Sequence, residues 1–276
     1  MNLKNGNLVG ALVGDIVGSV YEFDNRRTKT FEMFGDWHGR KCFATDDSIM
    51  TLAIAKAVMD SAPDHHDLGQ NAIRAMREVG QPYPHCGYGG RFLHWMYCDD
   101  PQPYNSYGNG AAMRVSPVAY FAADMDDAME MAKIVTEVTH NHPEGIKGAQ
   151  TVAGLVYMAL NGSTMDAMKK FAMSKYPELG FTLDQIRSTY QFNETCQQTV
   201  PQAITAFFES QDFEDAIRNA ISVGGDSDTL ACITGSIAGA YYGVSDSIRN
   251  QALSYLDNRL LTLYNDFTAV SAKSGR

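Results

Sequence analysis

Apolar residues recur at helical intervals along most of the chain. After Thr45-Asp46-Asp47, the positions Ile49, Leu52, Ala53 and Ala57 fall on one face, as in a capped amphipathic helix. The same spacing runs through 126–138 and 146–160. It continues from Ser245 to about Asp266 through Ile248, Ala252, Leu256, Leu260 and Leu263. Thr182 with Gln185 fits a capping box; Ser163 with Asp166 and Asp212 with Asp215 are variants of it. Pro201 predicts a helix start ahead of Ala203, Ile204, Phe207 and Phe208. A short helix over 214–223 should stop at Gly224-Gly225. No run alternates apolar and polar positions with β-branched enrichment, so the pattern predicts an all-α fold of about ten helices. Without a long linker or an internal repeat, residues 1–276 read as a single domain.

Glycine has a pattern of its own. Gly10, Gly14 and Gly18 lie on one face of the first helix, and Gly235 and Gly239, extended by Ala231, on one face of a late helix. Each glycine costs about 1 kcal/mol against alanine in a helix, so a packing reason is expected. Two backbones approaching closely through these faces would supply it. The segment from Gln81 to Gly110 is different: rich in Gly, Pro, Tyr, Asn and Asp, it reads as a long functional loop. Tyr83, Tyr88, Trp95 and Tyr97 could line a cleft there and set selectivity between Gln81 and Pro103, or simply pack.

Charge narrows the function. There are 22 basic and 32 acidic residues, a net charge of −10. That balance disfavours binding to nucleic acid or anionic membranes, which needs positive fields. It suits a cation site rich in carboxylates. No apolar run reaches the roughly 20 residues of a membrane span, and Leu8 to Val20, interrupted by Asp15, is a poor signal peptide. Five scattered cysteines without a CxxC read as free thiols, hence a cytoplasmic protein.

Two acidic segments stand at the heads of apolar helices: Thr45-Asp46-Asp47 and Asp226-Ser227-Asp228-Thr229. Helix capping explains one Asp in each. Paired carboxylates are explained better by hard divalent cations such as Mg²⁺ or Mn²⁺, which take oxygen ligands. Ser106-Tyr107-Gly108-Asn109-Gly110 precedes Ala111-Ala112-Met113-Arg114. A glycine-rich loop before a helix can cradle phosphate or be an ordinary turn; neither a Walker motif nor a dinucleotide fingerprint is present. Asp64-His65-His66-Asp67 reads as a solvated loop. His140-Asn141-His142-Pro143 has the HxHP spacing of JAMM-type metalloproteases, but the SxxD they need does not follow.

Together these residues resemble the ADP-ribosylglycohydrolase family, also called ADP-ribosyl-acceptor hydrolases. The similarity runs from Gly10 to Gly243. It comprises Gly10-Ala11-Leu12-Val13-Gly14-Asp15 leading to Glu22, Thr45-Asp46-Asp47, Tyr107-Gly108-Asn109-Gly110 with Ala112-Met113-Arg114, Thr139-His140, and Gly224-Gly225-Asp226-Ser227-Asp228-Thr229. The resemblance implies an orthogonal helical bundle around a central cleft with two divalent cations, Mg²⁺ or Mn²⁺. Thr45, Asp46 and Asp47 would bind them from one side, and Asp226, Asp228 and Thr229 from the other. Glu22 would act beside them as acid, base or gate, with Asp47 and Asp228 as catalytic ligands. Ser106 to Gly110, with Arg114 and His140, would hold the substrate.

The implied reaction releases ADP-ribose from a modified acceptor. A carboxylate near the anomeric carbon stabilises oxocarbenium character, and metals orient ribose hydroxyls and acidify a bound water. The Glu22-Phe23 pair resembles the arginine-specific, nitrogenase-reactivating branch. The Ser106–Gly110 loop also resembles the branch acting on serine-linked and poly(ADP-ribose) substrates. A nucleic-acid or small-metabolite acceptor stays open, as does a non-catalytic ADP-ribose-binding relative. The presence of all six ligand positions and Glu22 favours an enzyme.

Overall fold

A computed structural model describes residues 8–273 of the chain; the outermost residues of the expected 1–276 domain lie outside them. The fold is all-α. Among the described residues there are fourteen α-helices and no strand: α1 (Val9–Gly18), α2 (Asp46–Met59), α3 (Leu68–Gly80), α4 (Gly90–Tyr97), α5 (Gly110–Met113), α6 (Met125–Glu137), α7 (Pro143–Leu160), α8 (Met165–Lys175), α9 (Leu183–Ile186), α10 (Cys196–Phe208), α11 (Phe213–Val223), α12 (Ser227–Tyr242), α13 (Asp246–Leu253) and α14 (Asn258–Lys273). No helix is long and apolar enough to cross a membrane.

The expected close approach of two helices is the centre of this architecture. α1 packs on α12 more extensively than any other two elements pack. Every residue of α1 is buried, and so is α12 from Ser227 to Ala240. A Cβ on Gly10 would strike the Gly235 carbonyl, and one on Gly14 would strike the Ala231 carbonyl and lie 2.6 Å from Cys232 N. A Cβ on Gly18 would lie 2.5 Å from Asp228 Cα. The glycine face therefore sets the distance between α1 and the head of α12. Helices α2, α5, α7, α10 and α11 surround α12.

Several boundaries differ from expectation. The tail is two helices: after α13, Asp257 Oδ1 accepts from Arg259 N and Leu260 N, both at 3.0 Å, and starts α14. Pro201 lies inside α10, which begins at Cys196. Burial of Cys196, Thr199 and Val200 outweighs the backbone bond that an interior proline forfeits. Thr164, not Ser163, caps α8, accepting from Ala167 N at 3.3 Å. Thr182–Gln185 is a reciprocal capping box and Asp212 caps α11, as the sequence indicates. Gly224, at φ +75°, ends α11. The Gln81–Gly110 segment contains α4; all four of its aromatics are held by contacts, and Trp95 and Tyr97 also border surface cavities. Tyr83 donates to Asp257 Oδ2 at 2.6 Å, Tyr97 to Gln81 O at 2.8 Å, and Tyr88 and the buried Trp95 pack on Phe92.

Candidate active site

The two acidic segments, far apart in sequence, meet on one cavity. Its volume is about 250 Å³. Glu22, Asp46, Asp47, Asp226, Asp228 and Thr229 line one part of it. Arg91, Phe92, Tyr104, Arg114 and His140 line another, with Ser106, Gly108, Asn109 and Gly110 between. A second cavity of about 470 Å³ shares Gly90, Arg91 and Tyr104 with the first. Thr45 and Tyr107 do not line the first cavity. Thr45 lies directly behind it, while the Tyr107 ring packs edge-on against His142, 5.1 Å between centroids.

The head of α2 is held by a residue of α1. Asp15 accepts from Thr45 N and Ser48 N through Oδ2, each at 3.0 Å, and from Thr45 Oγ1 through Oδ1 at 2.5 Å. Thr45 Oγ1 in turn accepts from Asp47 N at 3.3 Å, the expected cap, and keeps one lone pair. Asp46 N donates to Cys86 O at 2.7 Å, fixing the loop wall beside the first carboxylates. Asp15 stands in the sequence pattern that opens the family resemblance, which assigns it no role. Its position in mid-helix, alone and without polar neighbours, gives no local sign of a site.

The head of α12 is joined to the same place. Thr229 Oγ1 donates to Asp47 Oδ2 at 3.2 Å, and Asn109 Nδ2 donates to Asp226 Oδ2 at 2.6 Å. Ser227 turns away, donating to Tyr21 O and Gly225 O, both at 3.3 Å. The turn before Asp226 is anchored by Asn25, whose Oδ1 accepts from Gly225 N at 2.8 Å. Arg27 reinforces it by donating to the carbonyls of Arg187, Tyr190 and Val223.

These groups fit a hard divalent cation. One carboxylate oxygen from each of Asp15, Asp47 and Asp228 lie within 4.8 Å of one another, and so do oxygens of Glu22, Asp226 and Asp228. Asp47 Oδ1 is buried without a hydrogen-bond partner. No lysine or arginine forms an ion pair with Asp15, Asp46, Asp47, Asp226 or Asp228 among the described residues. Burial, and then mutual repulsion, raises Asp46, Asp47 and Asp228 well above the usual carboxylate range. Burial pushes Asp15 up to about 6. Glu22 rises to about 7 through burial, then through the charges of Asp226, Asp15 and Glu194. An all-oxygen set with uncompensated negative charge is what Mg²⁺ or Mn²⁺ would relieve.

The remaining wall has the opposite character. Arg114 is buried; its Nη2 donates to Thr139 Oγ1 at 2.7 Å, and its Nε has no partner. Burial, with Arg114 and Arg91 nearby, holds His140 well below its usual value, so the ring is neutral. Its Nδ1 lies 2.7 Å from Thr139 Oγ1 and its Nε2 faces the glycine loop, where a Cβ on Gly110 would sit 3.3 Å away. The loop is pinned from outside: Asn109 N donates to Glu194 O at 2.7 Å and Cys196 N to Tyr107 O at 2.9 Å. That contact brings Phe192 and Glu194 to the cavity, a segment with no motif to announce it. The HxHP stretch forms no metal cluster among the described residues; His142 caps α7 by accepting from Glu144 N. His66 is exposed beside Asp64, as a solvated loop should be.

Known proteins place this geometry. A solved structure described as an ADP-ribosylglycohydrolase-related protein complex shares the fold, with a TM-score of 0.68 at 24% identity over 97% of both chains. The human ADP-ribosylhydrolase ARH3 is 28% identical over 87% of this chain and 85% of its own. The ADP-ribosylarginine hydrolase Tri1 of Pseudomonas putida (strain GB-1) is 28% identical over 89% and 72%. The ADP-ribosyl-[dinitrogen reductase] glycohydrolase of Rhodospirillum rubrum is 28% identical over 92% and 90%. Residues 5–275 match the family described as ADP-ribosylglycohydrolase. With its helical frame and the buried carboxylates at the heads of α2 and α12, the chain belongs to this family of hydrolases.

Proposed function

We propose that the protein hydrolyses the bond between ADP-ribose and an arginine side chain of a modified protein, using two divalent cations, Mg²⁺ or Mn²⁺. The observation that carries this reading is the convergence of the α2 and α12 carboxylates on one cavity beside Arg114 and His140. Arginine is favoured by two comparisons. Tri1 is named for that linkage. The Rhodospirillum enzyme aligns over 273 positions to cover 92% of this chain, whereas human ARH3 needs 312 to cover 87%, so the chain lacks the insertions of the latter. The five free thiols suit a cytoplasmic setting.

In this reading Thr45, Asp46, Asp47, Asp226, Asp228 and Thr229 hold the cations, and Asp15 orients the Thr45 hydroxyl. Bound cations would orient the ribose hydroxyls and acidify water at the anomeric carbon. Asp228, common to both carboxylate groups, and Asp47, which belongs to one, stabilise the positive character of that carbon. Glu22, raised toward neutrality, holds or gives up a proton there. The Arg114 guanidinium and the His140 Nε2–H donate to diphosphate or ribose oxygens. Ser106, Gly108, Asn109 and Gly110 line the approach for the substrate, with Tyr107 in the same loop.

A substrate panel tests the linkage. ADP-ribose release is followed from arginine-linked and serine-linked peptides at equal concentration with Mg²⁺ or Mn²⁺. Release at least tenfold faster from the arginine-linked peptide supports the reading. Preference for the serine-linked peptide moves the acceptor, and release from neither refutes the proposal.

A further inference from the structure

Two exposed phenylalanines flank the carboxylate part of the cavity. Phe23 is 71% exposed and Phe192 41%, yet their rings stack with 5.5 Å between centroids. Neither belongs to the core. Phe23 directly follows Glu22, and Phe192 lines the cavity together with Glu194. The segment carrying Phe192 and Glu194 is held in place by Asn109 N on the Glu194 carbonyl, and by Asn193 Oδ1, which accepts from Thr195 N at 2.9 Å. The aromatic pair is therefore presented on a fixed support.

Polarity gives the pair a direction. The unpartnered Nε of buried Arg114 calls for an anion on the side of Tyr104 and His140. On the other side Asp47 is a ligand of the cations in the reading above, and the exposed Glu194, on the cavity wall beside Phe192, is the carboxylate left to meet positive charge on the acceptor. If the diphosphate occupies the cationic side, the leaving group must depart past Glu22 toward Phe23, Phe192 and Glu194. Stacked rings beside a carboxylate suit a flat, charged group such as guanidinium, which stacks on aromatic faces and pairs with carboxylates.

We propose that Phe23, Phe192 and Glu194 form the acceptor subsite and select an arginine guanidinium as the leaving group. The inference rests on the hydrolase reading above and gives its acceptor a binding place. These three residues touch the acceptor, and ADP-ribose binds without them.

Phe23→Ala, Phe192→Ala and Glu194→Gln change exposed side chains, so their folding is not in question. Steady-state release from an ADP-ribosyl-arginine peptide and calorimetric titration of free ADP-ribose, both with Mg²⁺, separate the two ends of the site. Each variant should raise KM for the arginine peptide about threefold to tenfold, the range expected of one cation–π or rim charge contact. Phe192→Ala with Glu194→Gln should raise it more than tenfold. The ADP-ribose Kd should stay within twofold of wild type. Unchanged kcat/KM in all variants would overturn the inference while leaving the hydrolase reading intact. An equal loss of ADP-ribose affinity would overturn it too, by placing the rings against ADP-ribose itself. If the wild-type protein releases nothing from the arginine peptide, both readings fail.

Discussion

Asp15 spends both of its oxygens on the head of α2, yet it lies within 4.8 Å of the Asp47 and Asp228 oxygens. It is a positioning residue: it aims the Thr45 hydroxyl and fixes the first turn that carries Asp46 and Asp47. Asp15→Asn keeps the shape but turns an NH₂ group toward groups that now donate to Asp15. The expected result is a tenfold to hundredfold loss of Mn²⁺ affinity, the range for outer partners of metal ligands, with helix content unchanged. Calorimetric titration beside circular dichroism checks it, and wild-type affinity would remove Asp15 from the account. The proposed ligand residues were legible because Thr45-Asp46-Asp47 and Asp226 to Thr229 are local patterns. Asp15 was not, because its meaning comes only from a neighbour thirty residues on. Phe192 and Glu194 were invisible for the same reason, being brought to the cavity by backbone pairing with Asn109.

Among the elements, α1 and α12 decide where the carboxylates meet. The glycine spacing made their close approach readable, since side chains missing every four residues leave little else to explain. The consequence for the site was not readable: Gly18 touches the head of α12 at Asp228 itself. Gly14→Ala should cost about 3 kcal/mol in urea unfolding, at the upper end for overpacking, because the new Cβ meets backbone. Gly18→Ala should weaken metal binding as well, by displacing Asp228. Equal metal affinity in Gly18→Ala and wild type would show that the α12 head is set by other contacts. Elsewhere the periodicity erred where tertiary contacts overrule local preference. The tail pattern ran through the break that Asp257 makes, and α10 extends back past Pro201 because Cys196 to Val200 are buried.

Across the whole molecule, the buried core runs from Leu8 to Phe267, and four of the acidic residues, Asp15, Asp47, Asp226 and Asp228, are buried with it. The buried carboxylates set how stability depends on pH. Asp15 is raised from 3.8 to about 6 and Glu22 from 4.5 to about 7. A raised carboxylate binds more protons folded than unfolded, so it favours the folded state at low pH and loses that contribution as pH rises through the folded value. Metal-free protein should therefore melt at a higher temperature at pH 5.5 than at pH 7.5. Added Mg²⁺ should reverse the order by stabilising the pH 7.5 form. At a hundred times Kd the gain is about 2.7 kcal/mol, or roughly 5–10 °C for a chain of this size. Thermal melts in EDTA and in Mg²⁺ at both pH values check this. A metal-free melting temperature that climbs with pH would contradict the reading of the cluster.

The central claim is that the α2 and α12 carboxylates act as one metal site for ADP-ribosyl-arginine hydrolysis. Its most direct test is release of ADP-ribose from an arginine-modified protein by EDTA-stripped enzyme titrated with Mn²⁺, with bound Mn²⁺ read in the same samples. Wild-type release should rise with occupancy. Asp47→Ala and Asp228→Ala, from opposite helices, should each lower both occupancy and release at least a hundredfold. Release that persists in EDTA, or survives in either variant, would contradict the account.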